Sequence, residues 1–252
     1  MFVHRCPIRQ IRNEYRNTAD RLAAFHERRV DNEAPSNNAD SENGDLPRIV
    51  VHFVPERAFS EDAIRFSASE LFDREAYLRP YGGQTGKYGK MKPGRIETVN
   101  TATADYKSGT ERLILFENLV FELDTTWVTE QSNRGRIFDG NSFVEQLEQN
   151  LATLLGLLSV HSDGCELLAT ATYRGFNDAL ITCSGRPAPI TDDEIPTRTV
   201  SMDVPKNNHE LYEGHVESIN ELLRPVVQSA GRHGWDLERP DAINIPDLMI
   251  EE

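Results

Sequence analysis

Apolar positions along this chain fall into short runs separated by polar stretches. In the first thirty residues Ile8, Ile11, Tyr15, Leu22 and Phe25 recur near every third or fourth position, which predicts an amphipathic helix. Arg9, Arg12 and Arg16 share that spacing and line a neighbouring face. Residues 31–47, DNEAPSNNADSENGDLP, are polar and rich in turn formers, and read as a flexible acidic linker. RIVVHFVP, residues 48–55, is a continuous apolar run that predicts a buried strand ended by Pro55. Residues 56–111 read as mostly irregular, with short helical pieces from Ser60 to Phe72.

In RLILFENLVFELDTTWV a tight turn at Glu117 and Asn118 predicts a hairpin. Beyond it Leu119, Phe121 and Leu123 share one face, and Val120, Glu122 and Asp124 the other. Residues 141–160 are the clearest helix, with Asn141 or Asp139 as cap and Phe143, Leu147, Leu151, Leu154 and Leu158 as its buried stripe. Residues 165–173 and 197–204 read as strands. A last helix runs from Asn208 to a stop at Gly231, kinked or split at Pro225. This order predicts an α+β fold, a mixed or antiparallel sheet with helices packed on one face, preceded by an N-terminal basic amphipathic helix. The expected division is a basic helix over 1–30, the linker over 31–47, an α+β domain over 48–235 and an extended acidic tail over 236–252.

Charge adds contrast within the chain. Its 252 residues hold 27 Lys and Arg against 41 Asp and Glu, a net charge of −14. That surplus suits a protein working at high salt, and an Arg-favouring codon bias would also explain the scarcity of Lys. Two segments run the other way. The first thirty residues carry seven Arg and three acids, and residues 76–96 carry Arg79, Lys87, Lys90, Lys92 and Arg95 with no acid. Lys87, Lys90, Lys92, Arg95, Arg9, Arg12 and Arg16 are therefore the candidate contacts for phosphate, nucleic acid or an acidic surface. The competing reading is that these cations pair with the acidic body of the same chain. Cys6, Cys165 and Cys183 form no Cys-x-x-Cys pair, which fits a reducing cytoplasm. No run approaches the length of a membrane-spanning helix, and the N-terminus lacks the apolar stretch of a signal peptide.

Candidate chemistry fails pattern by pattern. GGQTGKYG resembles a phosphate loop, but the first Gly position is Tyr81 and the hydroxyl position is Tyr88. His209 and His215 lie six apart, too far for the i, i+4 pair that holds zinc from one helix face. His161 and Cys165 lack a second ligand pair, and residues 191–196, TDDEIP, read as a solvated acidic loop. His52, inside an apolar strand, reads as a satisfied core residue rather than a ligand. Glu122 and Asp124 could bind a metal or serve as an acid–base pair, but the expectation is the wet side of a sheet. No cofactor is expected, and the chain reads as non-enzymatic.

The order of segments supplies a resemblance. DRLAAFHERRV, the acidic spacer, PRIVVHFVPERAFS, Leu78-Arg79-Pro80, ADYKSGTERLILFENLVFEL, a leucine-rich helix and LLATATYRGF follow one another. Over residues 15 to 180 this resembles the C-terminal region of prokaryotic ATP-binding proteins with a Schlafen-type, Alba-like DNA-binding domain. The family pattern Tyr…Leu-Phe-Arg-Asn-Gly-x-x-Glu stands here as Tyr106, Leu115, Phe116, Glu117, Asn118, Leu119 and Glu122, so its Arg and Gly are replaced. The Alba-like domain itself would precede residue 1, and its functions cannot be carried to residues here. The resemblance implies a non-enzymatic accessory or regulatory module of a Schlafen-like nucleic-acid-binding system. Its expected partners are an Alba-like domain or other protein through the N-terminal helix, and nucleic acid. The rival readings are an enzyme or binding protein for a nucleotide or phosphorylated ligand using loop 82–95 with Glu122 and Asp124, and a structural protomer that oligomerises through the first helix.

Overall fold

The structure, a computed structural model, describes residues 20–31, 46–61, 63–74, 90–104, 107–126, 128–131, 135–161, 166–177, 179–182, 187–192, 194–204 and 213–232. It is mixed α+β, built on a large and mainly antiparallel sheet. The strands are β1 (Arg48–Pro55), β2 (Lys90–Lys92), β3 (Arg95–Ala104), β4 (Lys107–Phe116), β5 (Phe121–Thr125), β6 (Val128–Gln131), β7 (Gly135–Phe138), β8 (Glu166–Arg174), β9 (Leu180–Thr182), β10 (Pro187–Pro189) and β11 (Arg198–Asp203). The helices are α1 over 20–31, α2 (Ala68–Arg74), α3 (Gly140–His161) and α4 (Glu213–Ser229).

The principal sheet runs β2-β3-β4-β5-β1-β8-β11, antiparallel throughout. A branch of β6, β7, β9 and β10 leaves the start of β4, where Ser108 faces Val128, and its β7–β9 pair is parallel. Odd-numbered positions such as Ile49, Val51, Phe53, Leu113, Phe121 and Leu123 join Leu147, Leu151, Leu222 and Val226 of α3 and α4 in the main core. The even-numbered face carries a smaller cluster, in which Leu22 of α1 meets Val54, Ala58, Val120 and Leu168, with Phe25, Phe59 and Phe116 beside them. Strand β1 is buried at all eight positions because helices cover both faces.

Local signals set the helix ends. Ser67 and Glu70 form a reciprocal capping box at the start of α2. Asp139 accepts from the backbone N–H of Ser142 and so caps α3. Gly231, at φ 66°, ends α4, with Gly231 N–H bonded to the Gln228 carbonyl and Arg232 N–H to that of Val227. The helix is not split at Pro225.

Two expectations are corrected. Residues 95–111 are not irregular but belong to a long β3–β4 ladder, in register from Arg95↔Phe116 to Ala104↔Lys107. RIETVNTATA hides this strand because its pairing face is built of threonine and charge rather than apolar alternation. The β4–β5 turn is also longer than a two-residue turn at Glu117 and Asn118. Phe116 N–H donates to the Val120 carbonyl and Leu119 N–H to the Phe116 carbonyl, so the loop is Glu117, Asn118 and Leu119. Leu119 closes it at φ 60°, the only non-glycine residue with positive φ among those described. It is also fully buried in the main core, so burial offsets about 1–2 kcal/mol of backbone strain.

Both Leu119→Gly and Leu119→Ala should destabilise the fold in urea unfolding. The glycine variant should be the more stable of the two, by about 1 kcal/mol, the reverse of the order in ordinary strand or helix positions. Equal midpoints, or alanine above glycine, would contradict the left-handed assignment.

Candidate functional site

The even-numbered face holds a cluster of buried charge. On β5 Glu122 and Asp124 are each 1 % exposed, so the expected wet side of the sheet is wrong. Helix α1 lies over this face, and a carboxylate beneath it can remain ionised only where donors replace the lost water. Arg29 of α1 donates from Nε to Glu122 Oε2 at 2.6 Å and from Nη2 to Oε1 at 2.7 Å. Arg48 of β1 grips Asp124 in the same forked manner, at 2.8 and 2.9 Å, and also donates to the Val30 carbonyl at 3.2 Å. Arg112 of β4 bridges the two carboxylates, 3.2 Å from Glu122 Oε1 and 3.0 Å from Asp124 Oδ2. Planar guanidinium forks suit this bidentate geometry.

Two histidines extend the network. His52 of β1, fully buried, places Nε2 2.9 Å from Glu122 Oε2 and Nδ1 2.6 Å from Nδ1 of His26 on α1. His26 Nε2 lies 2.6 Å from the Thr172 hydroxyl of β8, which lies 2.9 Å from that of Thr197. His52 is thus a core residue bonded through both ring nitrogens. Burial, the charge of His52 and that of Arg174 push His26 down from 6.5 to about 3 against the pull of Glu122, so its ring is neutral. For Glu122 burial alone would raise the pKa. Hydrogen bonds from His52 and Arg29, and their charges, instead hold it well below 4.5.

This arrangement is closed to ordinary chemistry. Three guanidinium contacts and His52 occupy Glu122, and three guanidinium contacts occupy Asp124, which leaves little acceptor capacity for a base or a metal ligand. Among the described residues no group of three His, Cys, Asp or Glu could hold a metal ion. No helix is long and apolar enough to cross a membrane, again among the described residues.

The candidate basic contacts lie elsewhere or beyond description. Arg9, Arg12, Arg16 and Lys87 fall outside the described residues, as does loop 82–89. Lys90 and Lys92 form β2, and Arg95 opens β3. Lys92 Nζ is 2.6 Å and Arg95 Nη2 3.4 Å from Glu97 Oε2, so these two cations are partly satisfied within the chain. Arg95 also lies over the Phe116 ring, 6.0 Å from its centroid, and Arg29 lies over the same ring at 5.5 Å. Lys90 is exposed, and Met91 and Val99 on the same strand pair are 55 % and 50 % exposed.

Sequence reasoning missed Arg29, Arg48, Arg112 and His26 as a set. One signal was present: Arg112 and Asp124 fall directly opposite once the hairpin loop is given three residues. Comparison with known protein families, curated proteins and solved structures finds no match for this chain.

Glu122→Gln should cost about 3–5 kcal/mol, since it takes the forked carboxylate from buried Arg29 and one of the two carboxylates that Arg112 bridges. Glu221→Gln, at the exposed pair with Arg198, should change stability by no more than about 1 kcal/mol. Glu122 is more acidic folded than unfolded, so its contribution is complete above pH 4.5 and lost progressively as pH falls toward its depressed folded value. Urea titrations at pH 7, 4 and 3 should show the gap between Glu122→Gln and the parent little changed at pH 4 and narrower at pH 3.

Glu148 on α3 behaves oppositely. It is buried, its Oε1 has no hydrogen-bond partner among the described residues, and burial together with Glu145 raises it to about 7. Its folded pKa is raised, so its stability contribution is complete below 4.5 and lost as pH rises through about 7. Glu148→Gln should raise the Tm at pH 8 by roughly 2–4 °C and leave it unchanged at pH 4. Thermal melts at the two pH values check this.

Proposed function

We propose that this chain is a non-enzymatic binding module, the accessory half of a Schlafen-like system, which meets an anionic partner through its β2–β3 edge. The observation that carries the reading is the state of Glu122 and Asp124. They are the carboxylates an enzyme using the neighbouring basic loop would need, and both are sealed beneath α1 in guanidinium forks. The edge itself favours an anion. Lys90, Lys92 and Arg95 outnumber the acids beside them, Glu97 and Glu117, and Lys87 lies three residues before the described strand in sequence. The kinship draws support from Leu119. The resembled pattern has Gly at that position, and the backbone there adopts the left-handed conformation that glycine takes without strain. Nucleic acid is the partner the resemblance favours, bound through phosphate.

The test is a titration of the full chain against a short fluorescein-labelled DNA duplex at several salt concentrations. Binding at low salt should weaken steeply as salt rises, and Lys90→Glu should reduce the logarithmic salt slope by about 1. No binding at the lowest salt would sink the proposal. Binding insensitive to Lys90→Glu would move the contact away from this edge.

A further inference from the structure

The cluster that closes the even-numbered face contains a joint with a fixed capacity for protons. Between His26 on α1 and His52 on β1 the two Nδ1 atoms are 2.6 Å apart, which leaves room for one hydrogen. The outer nitrogens are committed as well, His52 Nε2 to Glu122 and His26 Nε2 to Thr172. The closed pair can therefore hold one imidazolium charge at most. A second would set two N–H groups against each other inside the protein. With α1 lifted away, His26 meets water and can take a proton without that conflict.

We propose that α1 is an acid-sensitive latch: protonation at the His26–His52 joint releases residues 20–31 from the even-numbered face while the opposite core stays folded.

The surroundings agree with that direction. The charged groups facing the joint are Arg29 and Asp31 on α1, Arg48 on β1, Arg112 on β4, Glu122 and Asp124 on β5, and Arg174 on β8. Asp31 is paired with Arg174, and the two carboxylates of β5 are shared among three guanidiniums. A further positive charge at His26 therefore enters a site already rich in cations, out of reach of water. The ring stays neutral down to about pH 3 while α1 is docked, against an ordinary value of 6.5 when it is free. Opening takes up a proton across that interval, so acid favours the open state.

The two cores make the release local. Leu22 belongs to the small cluster with Val54, Ala58, Val120 and Leu168, whereas α3 and α4 pack on the other face of the sheet. Release would also withdraw Arg29 from Phe116, the ring over which Arg95 of the basic edge lies. The latch is therefore physically continuous with the proposed contact edge, although its existence does not depend on that proposal.

Hydrogen–deuterium exchange of the full chain, read by mass spectrometry from pH 7.5 to pH 5 and corrected for intrinsic exchange, tests the latch. Protection over residues 20–31 should fall below about pH 6.5, approaching about tenfold per pH unit, the slope of one coupled proton. Protection in α3 should hold over the same range. His26→Gln, which cannot take up the proton, should flatten the pH dependence of residues 20–31. The wild-type comparison decides the matter even if that variant fails to fold. Protection of 20–31 that is independent of pH, or that falls in step with α3, would overturn the proposal.

Discussion

Two carboxylates buried on one face of a β-strand set conditions that much of this molecule meets. Glu122 and Asp124 lie on the central part of the sheet, and a helix covers them. An isolated carboxylate in such a place would be protonated or would exclude the helix. Three guanidiniums from three different elements hold both in ion pairs, Arg29 from α1, Arg48 from β1 and Arg112 from β4. The requirement fixes positions in all three. It sets the strand neighbours of β5, the side of the sheet on which α1 lies, and the turn of α1 that faces down. Such a cluster adds less net stability than its short distances suggest, because seven charged or titratable side chains give up hydration. Its stronger consequence is selection, since any other docking of α1 strands a buried charge.

The hairpin shows how register serves the cluster. Side chains opposite each other on antiparallel strands must point to the same face. Arg112 and Asp124 are such a pair, as are Leu113 and Leu123. A two-residue turn at Glu117 and Asn118 would slide one strand by one residue and set polar positions against apolar ones along the ladder. The third loop residue restores the match. It is Leu119, held in a left-handed conformation that glycine would take more easily, and retained because its side chain fills the main core. Backbone strain at one position is thus the cost of correct pairing at many.

This explains which parts were legible in the sequence. Strand β1, helix α3, β8 and β11 announce themselves through apolar runs, alternation or a helical stripe, and the structure places them within a residue or so of expectation. β3 escaped because threonines and charges dominate it, and its strand character comes from the ten-residue ladder with β4. The sealed face escaped for a related reason. Alternation on β5 correctly separates Glu122 and Asp124 from Phe121 and Leu123, but it cannot say what lies above the polar side. The missing fact was tertiary. His26 and Arg29 sit near the end of a helix whose arginines look like a solvated or partner-facing stripe until the sheet is beneath them. Of the candidate contacts, Lys90, Lys92 and Arg95 do gather on one edge, and Glu97 partly answers them.

Phe116 joins the two charged regions. Its ring is flanked by Arg29 from the sealed cluster and Arg95 from the open edge, so both guanidiniums share one apolar surface. The exposed strand pair and the docked helix are therefore not independent. A charge that draws Arg95 outward changes what Arg29 packs against, and a shift of α1 changes what supports Arg95. Through Glu122, Arg29 is tied to His52 and from there to His26, so the proton state of the buried joint and the charge state of the edge act on the same few side chains. A rigid sheet with one cover held by polar contacts rather than by a large apolar core has the features of a two-state element. Most of its apolar burial lies on the far face, and the near cover rests on a network whose attraction depends on which groups carry protons.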